Sequence, residues 1–158
     1  MIFLKILLTL VLIAAVGALC IFQLRKVQEV AIQPGGMTFF SSKVKMYVSG
    51  ILAALAFIGS VVSVWMWVGY LIFISIGLTL VLMELAISCY CALSDKTLFV
   101  MQTMPLKEIR SIHPKEKGKG YQVEFDFNGV CFKHNFNVEG YEYIKQARRN
   151  RKALTEGK

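Results

Sequence analysis

Few residues in this chain have a type and spacing that could do chemistry. Glu84 is the one charged residue in an apolar run from Met46 to Leu93. A carboxylate in lipid costs a few kcal/mol by insertion scales, about 2.5–3.5 at mid-span for Asp and less nearer the surface. Glu84 must therefore face a helical bundle, snorkel to the interface or take a proton. The plain reading pairs it with Arg25, Lys26, Lys43 or Lys45, or with hydroxyls. The sharper reading gives it a role in proton or cation handling, and the third is contact with a partner. One carboxylate with no second titratable partner in the apolar runs is thin support for a transporter.

The remaining candidates are thiols, imidazoles and a basic run. Cys20 and Cys89 lie in expected membrane spans, Cys91 is expected near the inner membrane surface, and Cys131 falls in a β-patterned segment. Cytosolic thiols stay reduced, and Cys89-x-Cys91 has no second ligand pair, so all four are expected to be buried and apolar in behaviour. His113 and His134 have no metal-ligand spacing; His134, on an apolar strand face, is expected to be a satisfied core residue. No Gly-rich loop follows a strand, and no Ser/His/Asp set is recognisable. No catalytic, cofactor-binding or metal residue is assigned, and the chain is not read as an enzyme. Arg148, Arg149, Arg151 and Lys152 cluster near the C-terminus. A solvated helix face is the plain reading. In a membrane-attached chain, anionic lipid or a protein suits the cluster better than nucleic acid, since each basic group near a bilayer surface contributes about 1 kcal/mol.

The elements that must position these groups follow from the distribution of hydrophobicity. The chain has 158 residues, 56% of them hydrophobic, with a net charge of +8. Its mean hydropathy is +0.56. The excess over an ordinary soluble domain sits almost wholly in residues 1–93, which excludes a soluble enzyme, a disordered protein and a disulfide scaffold. The run Ile6–Phe22 with its flanks can cross a bilayer, which takes roughly 20 apolar residues. It is read as a retained span rather than a cleaved signal peptide; Leu19 before Cys20 disfavours a lipoprotein site. The run 46–93 is too long for one span and is divided at Trp65-Met66-Trp67-Val68-Gly69-Tyr70, where interfacial aromatics meet a glycine. Spans are expected at about 3–23, 46–66 and 70–91.

Residues 1–45 hold five basic groups and one acid, and residues 94–158 hold 13 and eight. The loop 24–45 carries Arg25, Lys26, Lys43 and Lys45, whereas the turn at 65–70 carries no charge. The positive-inside bias then places the N-terminus outside and the C-terminus in the cytosol. Pro34-Gly35-Gly36 marks a turn in this loop, and Phe39 and Phe40 are expected at the membrane surface. Ser49, Ala53, Ala56, Ser60 and Ser63 fall on one face of the second span. Small residues let helix backbones approach closely in lipid, either within this chain's bundle or against an oligomer or partner.

Past Leu93 the pattern alternates. Ser94-Asp95-Lys96 reads as a turn, Thr97–Gln102 as a strand stopped by Pro105, and Glu108–His113 as a second strand with Ile109 and Ile112 on different faces. Residues 114–120 read as a charged flexible loop. Asn128-Gly129 between Tyr121–Phe127 and Val130–Phe136 is a strong hairpin signal, because both turn positions need positive φ. Two-residue closure sets Phe125 opposite Phe132, Val123 opposite His134 and Glu124 opposite Lys133. Asn137 is a candidate N-cap for a helix over about 138–151, and 155–158 should fray. About 65 residues cannot bury a large core alone, so this part should lean on the membrane end or on an added strand at 88–93. The fold class is three transmembrane helices (domain 1–93) plus a small cytosolic α+β domain (94–158), an antiparallel sheet closed by a C-terminal helix.

The order of transmembrane pair, turn, strand, Pro-Leu-Lys-Glu-Ile-Arg-Ser-Ile, hairpin and closing helix resembles the bacterial pleckstrin-homology-like domains attached to membrane spans. There a strand is followed by a polar, Leu, x, x, Ile, x, x, Ile segment, matched here by Leu106, Ile109 and Ile112. The layout of the whole chain is also similar to the three-span membrane proteins of the YobD type. The resemblance implies no catalytic residue and gives Glu84 no role. It implies a multi-pass protein of the bacterial inner membrane, with no cofactor. The leading expectation is an accessory protein whose cytosolic domain docks a protein, or anionic lipid of the inner leaflet, with spans that pack in a membrane complex or a homo-oligomer. The alternatives are an immunity protein against a membrane-active bacteriocin or toxin, by analogy of layout alone, and a small transporter or channel subunit using Glu84.

Overall fold

A computed structural model describes residues 2–157; Met1, before the first expected span, and Lys158 of the expected frayed end lie outside them. The chain divides into two compact units. One comprises Met1–Leu24 and Val44–Ile87, the other Arg25–Lys43 and Ser88–Lys158.

The first unit is helical. Helix α1 (Ile2–Ala31), α2 (Lys43–Met66) and α3 (Gly69–Ile87) are each long and apolar enough to cross a membrane. Leu-, Ile- and Val-rich sequence without an internal Pro sustains them, since nothing interrupts the backbone ladder. α1 runs eight residues past its expected end and stops just short of Pro34. The turn between α2 and α3 is made by Trp67 at φ +57° rather than by Gly69, which opens α3. The Lys5 ammonium donates to the Trp65 carbonyl at 2.7 Å and lies 6.0 Å from the Trp67 ring centroid, so α1 begins beside the end of α2. Ser49, Ala53 and Ser60 are buried, and Ala56 and Ser63 half-buried. Ser60 Oγ and Thr79 Oγ1, 3.1 Å apart, share a hydrogen bond between α2 and α3. The stripe thus lies on the inner side of α2, as close approach of backbones requires.

Among its described residues the second unit holds seven strands, the end of α1 and a further helix. Strands β1 (Met37–Phe40), β2 (Tyr90–Leu93), β3 (Thr97–Val100) and β4 (Gln102–Pro105) form one antiparallel sheet in that order. β5 (Ile109–Lys117), β6 (Gly120–Phe127) and β7 (Val130–Asn137) form a second. Helix α4 (Val138–Glu156) packs on β6, β7 and β1. The added strand expected at 88–93 is present as β2, and its existence shortens α3 to Ile87 instead of 91. Half of the loop 24–45 is ordered structure too: the end of α1 and the edge strand β1. Phe39 is buried in the core, where it stacks on Tyr143 at 4.9 Å, instead of lying on a surface; Phe40 stacks on Tyr90 at 5.2 Å.

The expected strand 97–102 is two strands. Met101 at φ +63° reverses the chain so that Val100 faces Gln102. Leu93, Leu98, Val100, Met104, Leu106, Ile109, Val123, Phe125 and Ile144 are buried together in one core between the sheets and α4. The opposite face of the four-stranded sheet is covered as well. Ala92 and Phe99 meet Val27 and Val30 of α1. That double covering is why β2 and β3 read as continuous apolar runs.

Ile109 and Ile112 point to the same core, not to different faces. Three residues apart on a regular strand they would diverge. A bulge between Ile109 and Ser111 leaves Arg110 unpaired and restores both to the inside. The expected loop 114–120 is likewise mostly strand. β5 continues to Lys117, and only Gly118 and Lys119 form the turn. Pro114 is tolerated because β5 is an edge strand and the missing N–H breaks no ladder. The Asn128-Gly129 hairpin has the register expected for it, with both turn residues at positive φ, 52° and 75°. Asn137 caps α4, its side chain accepting from Gly140 N at 2.7 Å, and the helix extends to Glu156 rather than 151.

Candidate functional site

Among the described residues no group of His, Cys, Asp and Glu could hold a metal ion. Cys89 and Cys91 are buried, Cys20 half-buried and Cys131 exposed. Cys131 departs from the expectation of burial because it sits on the outer face of β7, opposite Asp126. Burial, helped by the neighbouring Cys89 thiol, pushes the Cys91 thiol far above its ordinary range, so it stays protonated and unreactive while folded. His134 is buried, with its ring edge-on to Phe136 at 4.9 Å.

Glu84 is exposed and lies in the last turn of α3, one turn from the helix end rather than the two expected from a span ending at 91. Among the described residues no ion pair involves it. Its position near the end of an apolar helix lets the carboxylate reach interfacial water by snorkelling.

The basic residues distribute over several elements. Arg25 is exposed and Lys26 half-buried in the last turns of α1. Lys43 pairs with Glu139 at 2.8 Å, which ties the start of α4 to residue 43. The Lys45 carbonyl accepts from Ser49 Oγ at 2.6 Å. On α4, Ile144 and Ala147 face the core. Arg148, Arg151 and Lys152, at spacings of three and four, then share one flank. Arg149, three residues before Lys152, lies on the outward face of the helix, beside Gln146, Tyr143 and Glu142 at a shallow open hollow.

One member of this flank, Arg151, meets β5. The Arg151 guanidinium donates through Nη2 to the carbonyl of Arg110 at 2.5 Å. The bulge that turns Ile109 and Ile112 inward therefore also brings a fifth basic residue, Arg110, beside the C-terminal cluster. Sequence reasoning missed Arg110 because regular alternation makes it one more polar strand residue; the three-residue spacing of Ile109 and Ile112 was the available signal of a bulge. Three acids of this unit, Glu124, Glu139 and Glu142, are engaged with lysines elsewhere. The described ion pairs are Lys43–Glu139, Lys133–Glu124 and Lys145–Glu142. The hydrogen bond from Lys133 holds the Glu124 carboxyl below its usual range, and the same bond raises Lys133. Arg110, Arg148, Arg149, Arg151 and Lys152 have no carboxylate partner among the described residues.

A second polar cluster is structural. Gln33 Oε1 accepts from Ser94 Oγ at 2.9 Å and from Thr97 Oγ1 at 2.6 Å. Asp95 N donates to the Pro34 carbonyl at 3.2 Å. Gly35, at φ +67°, packs so closely on the Asp95 carboxylate that a Cβ would collide with it. These contacts latch the segment after α1 onto the β2–β3 turn.

Compared with family models, curated proteins and solved structures, the chain has no significant match.

Proposed function

We propose that the chain is a non-enzymatic accessory protein of a bacterial cytoplasmic membrane, with three spans, its N-terminus outside and its sheet unit in the cytosol as a pleckstrin-homology-like docking domain. The arrangement that supports this reading is an antiparallel two-sheet core closed by a C-terminal helix, carried on three membrane-length helices. Leu106, Ile109 and Ile112, on which the resemblance rests, all contribute to that core. The domain carries a basic cluster, Arg148, Arg149, Arg151 and Lys152, with no carboxylate partner among the described residues, and docking is the use that such a cluster suits. In this reading the partner is a protein or the anionic inner leaflet, and α1–α3 pack in a larger membrane complex or with a second copy.

The test uses a native thiol. Cys131 is exposed on β7. With Cys20 changed to Ser, a membrane-impermeant maleimide should leave spheroplasts unlabelled and modify Cys131 only after permeabilisation. Labelling in intact spheroplasts would overturn the orientation. Affinity purification of the tagged full chain from gently solubilised membranes should return a defined partner; repeated recovery of the chain alone would overturn docking to a protein.

A further inference from the structure

We propose that β7 is a pairing edge for a second copy of this chain, the two β7 strands running antiparallel about a two-fold axis at Phe132. The pairing uses the sheet unit alone and is independent of the docking reading above. The Asn128-Gly129 turn makes Phe127 and Val130 a hydrogen-bonded pair, so alternate residues from Val130 onward aim their N–H and C=O at β6. Cys131, Lys133, Asn135 and Asn137 aim theirs outward. The chain already uses the last of these, since Asn137 N donates to the Ser41 carbonyl at 2.7 Å. Cys131, Lys133 and Asn135 are exposed, and among the described residues no backbone group takes up their outward N–H or C=O.

The other sheet edges are guarded, as exposed strands usually are. β1 lies against α4. β4 is four residues long and ends at Pro105. β5 carries Pro114 and the bulge, whose Arg110 carbonyl is taken by Arg151. β7 runs for eight residues in unbroken register and without a proline. The lysine on this edge, Lys133, is held at 2.8 Å by Glu124 of the neighbouring strand.

Self-complementarity selects a second copy as the occupant. With the axis at Phe132, Cys131 of each copy faces Lys133 of the other, and the two exchange backbone hydrogen bonds. Phe132 faces Phe132 of the other copy and carries the Phe125–Phe132 stack, with centroids 5.0 Å apart, across the seam. Val130, 62% exposed, faces His134 of the other copy. Asp126 stands next to Cys131. Each Lys133 therefore lies between Glu124 of its own chain and, beyond Cys131, Asp126 of the other, and no like charges meet at the seam. An axis at Lys133 would instead set lysine against lysine, which is unfavourable. The same patch serving both partners is what a two-fold interface requires.

The experiment is sedimentation equilibrium of the full chain in density-matched micelles, in a Cys20→Ser background, with a disulfide readout of the register. The chain should show a concentration-dependent monomer–dimer equilibrium. Cys131→Pro removes an outward N–H and no bond within the chain. It should weaken association about 30-fold, as loss of the pair of bonds donated by Cys131 implies. Cys131→Ser keeps the N–H and should stay within about twofold. Continued protection of the buried Cys89 and Cys91 from maleimide shows that each variant is folded. The disulfide readout needs no proline. Phe132→Cys with Cys131→Ser puts the two thiols at the axis, their Cα atoms about 4.5 Å apart, and mild oxidation should join them. Native Cys131 sits diagonally from its copy, about 7–8 Å away, and should cross-link far more slowly. A chain that stays monomeric would overturn the pairing. So would native Cys131 cross-linking as readily as the Phe132→Cys chain. A dimer indifferent to Cys131→Pro would overturn it too, and would assign self-association to the membrane-length helices.

Discussion

The end of α1 is the least expected part of the sheet unit, and its contribution can be measured. Val27 and Val30 are 0% and 1% exposed, packed against Ala92 and Phe99 on the outer face of the four-stranded sheet. Changing both to Ala removes two carbons from each. At about 0.8 kcal/mol per buried methylene the pair should cost about 3 kcal/mol, and any cavity left behind adds to that. This is a large share of a typical folding free energy of about 5–15 kcal/mol. The assay follows from the thiols. Cys89 and Cys91 are fully buried, so with Cys20 and Cys131 changed to Ser they react with a maleimide only when the unit opens. In the regime where closing outpaces labelling, the rate tracks the open population. A loss of about 3 kcal/mol should accelerate labelling on the order of 100-fold. Ile32→Ala is the control. It lies one residue past the end of the same helix but is 84% exposed, so it should leave the rate within about twofold. Unchanged labelling in the Val27→Ala/Val30→Ala chain would show that residues 25–31 do not belong to the sheet unit. Equal acceleration by Ile32→Ala would assign the effect to helix fraying rather than to packing.

Two further outcomes are expected. Because burial raises the folded Cys91 thiol far above its ordinary range, the folded chain holds that proton where the unfolded chain releases it. The stabilisation is full below the unfolded thiol value of about 8.5 and falls as pH rises above it, by up to about 1.4 kcal/mol per pH unit. Chemical unfolding across pH 8–10 should show this alkaline loss reduced in Cys91→Ala relative to wild type; parallel curves would refute it. Glu84 places a negative charge in the last turn of α3, against the helix dipole. Glu84→Gln should leave thermal stability in micelles unchanged or raise it by about 0.3–1 kcal/mol, and a marked loss would mean that the carboxylate is held by a partner.

What was legible in the sequence was what local chemistry decides. Three long apolar runs without Pro gave three helices, and Asn128-Gly129 between alternating segments gave a hairpin with its register. Glu124 then had to face Lys133, and the two side chains meet at 2.8 Å. What was illegible depended on partners distant in sequence. Met37–Phe40 carries no strand signal of its own length, and it becomes a strand because Tyr90–Leu93 offers a free edge. The residues 88–93 read equally well as the tail of an apolar helix, since a strand covered on both faces has no alternation to show. The place of Arg110 beside Arg151 of α4 was hidden for a related reason. A bulge shifts the inside–outside rule by one residue, and nothing in the rule itself marks where the shift occurs.

The same long-range pairing explains how β1 and β2 can be neighbours while α2 and α3 lie between them in sequence. Joining Phe40 to Tyr90 through a flexible loop of 49 residues rather than a two-residue turn would cost about 3 kcal/mol more, since each doubling of loop length adds about 0.6 kcal/mol. The intervening chain is not flexible. It is a helical pair joined by a tight turn at Trp67 and by the Ser60–Thr79 hydrogen bond, so much of that entropy is already lost once the helices have formed. The ladder then runs one rung beyond the strands, with Ser41 N donating to the Cys89 carbonyl at 2.8 Å, and Asn137 N donates to the Ser41 carbonyl at 2.7 Å. Ser41 therefore joins β1, β2 and the start of α4 at one point. The order of assembly that this favours is helical pair first and sheet second, because only the formed pair removes the closure cost before any strand contact offsets it. A chain in which the α2–α3 turn is lengthened by a long Gly/Ser insert should then fold its sheet unit more slowly, while unfolding it at nearly the original rate.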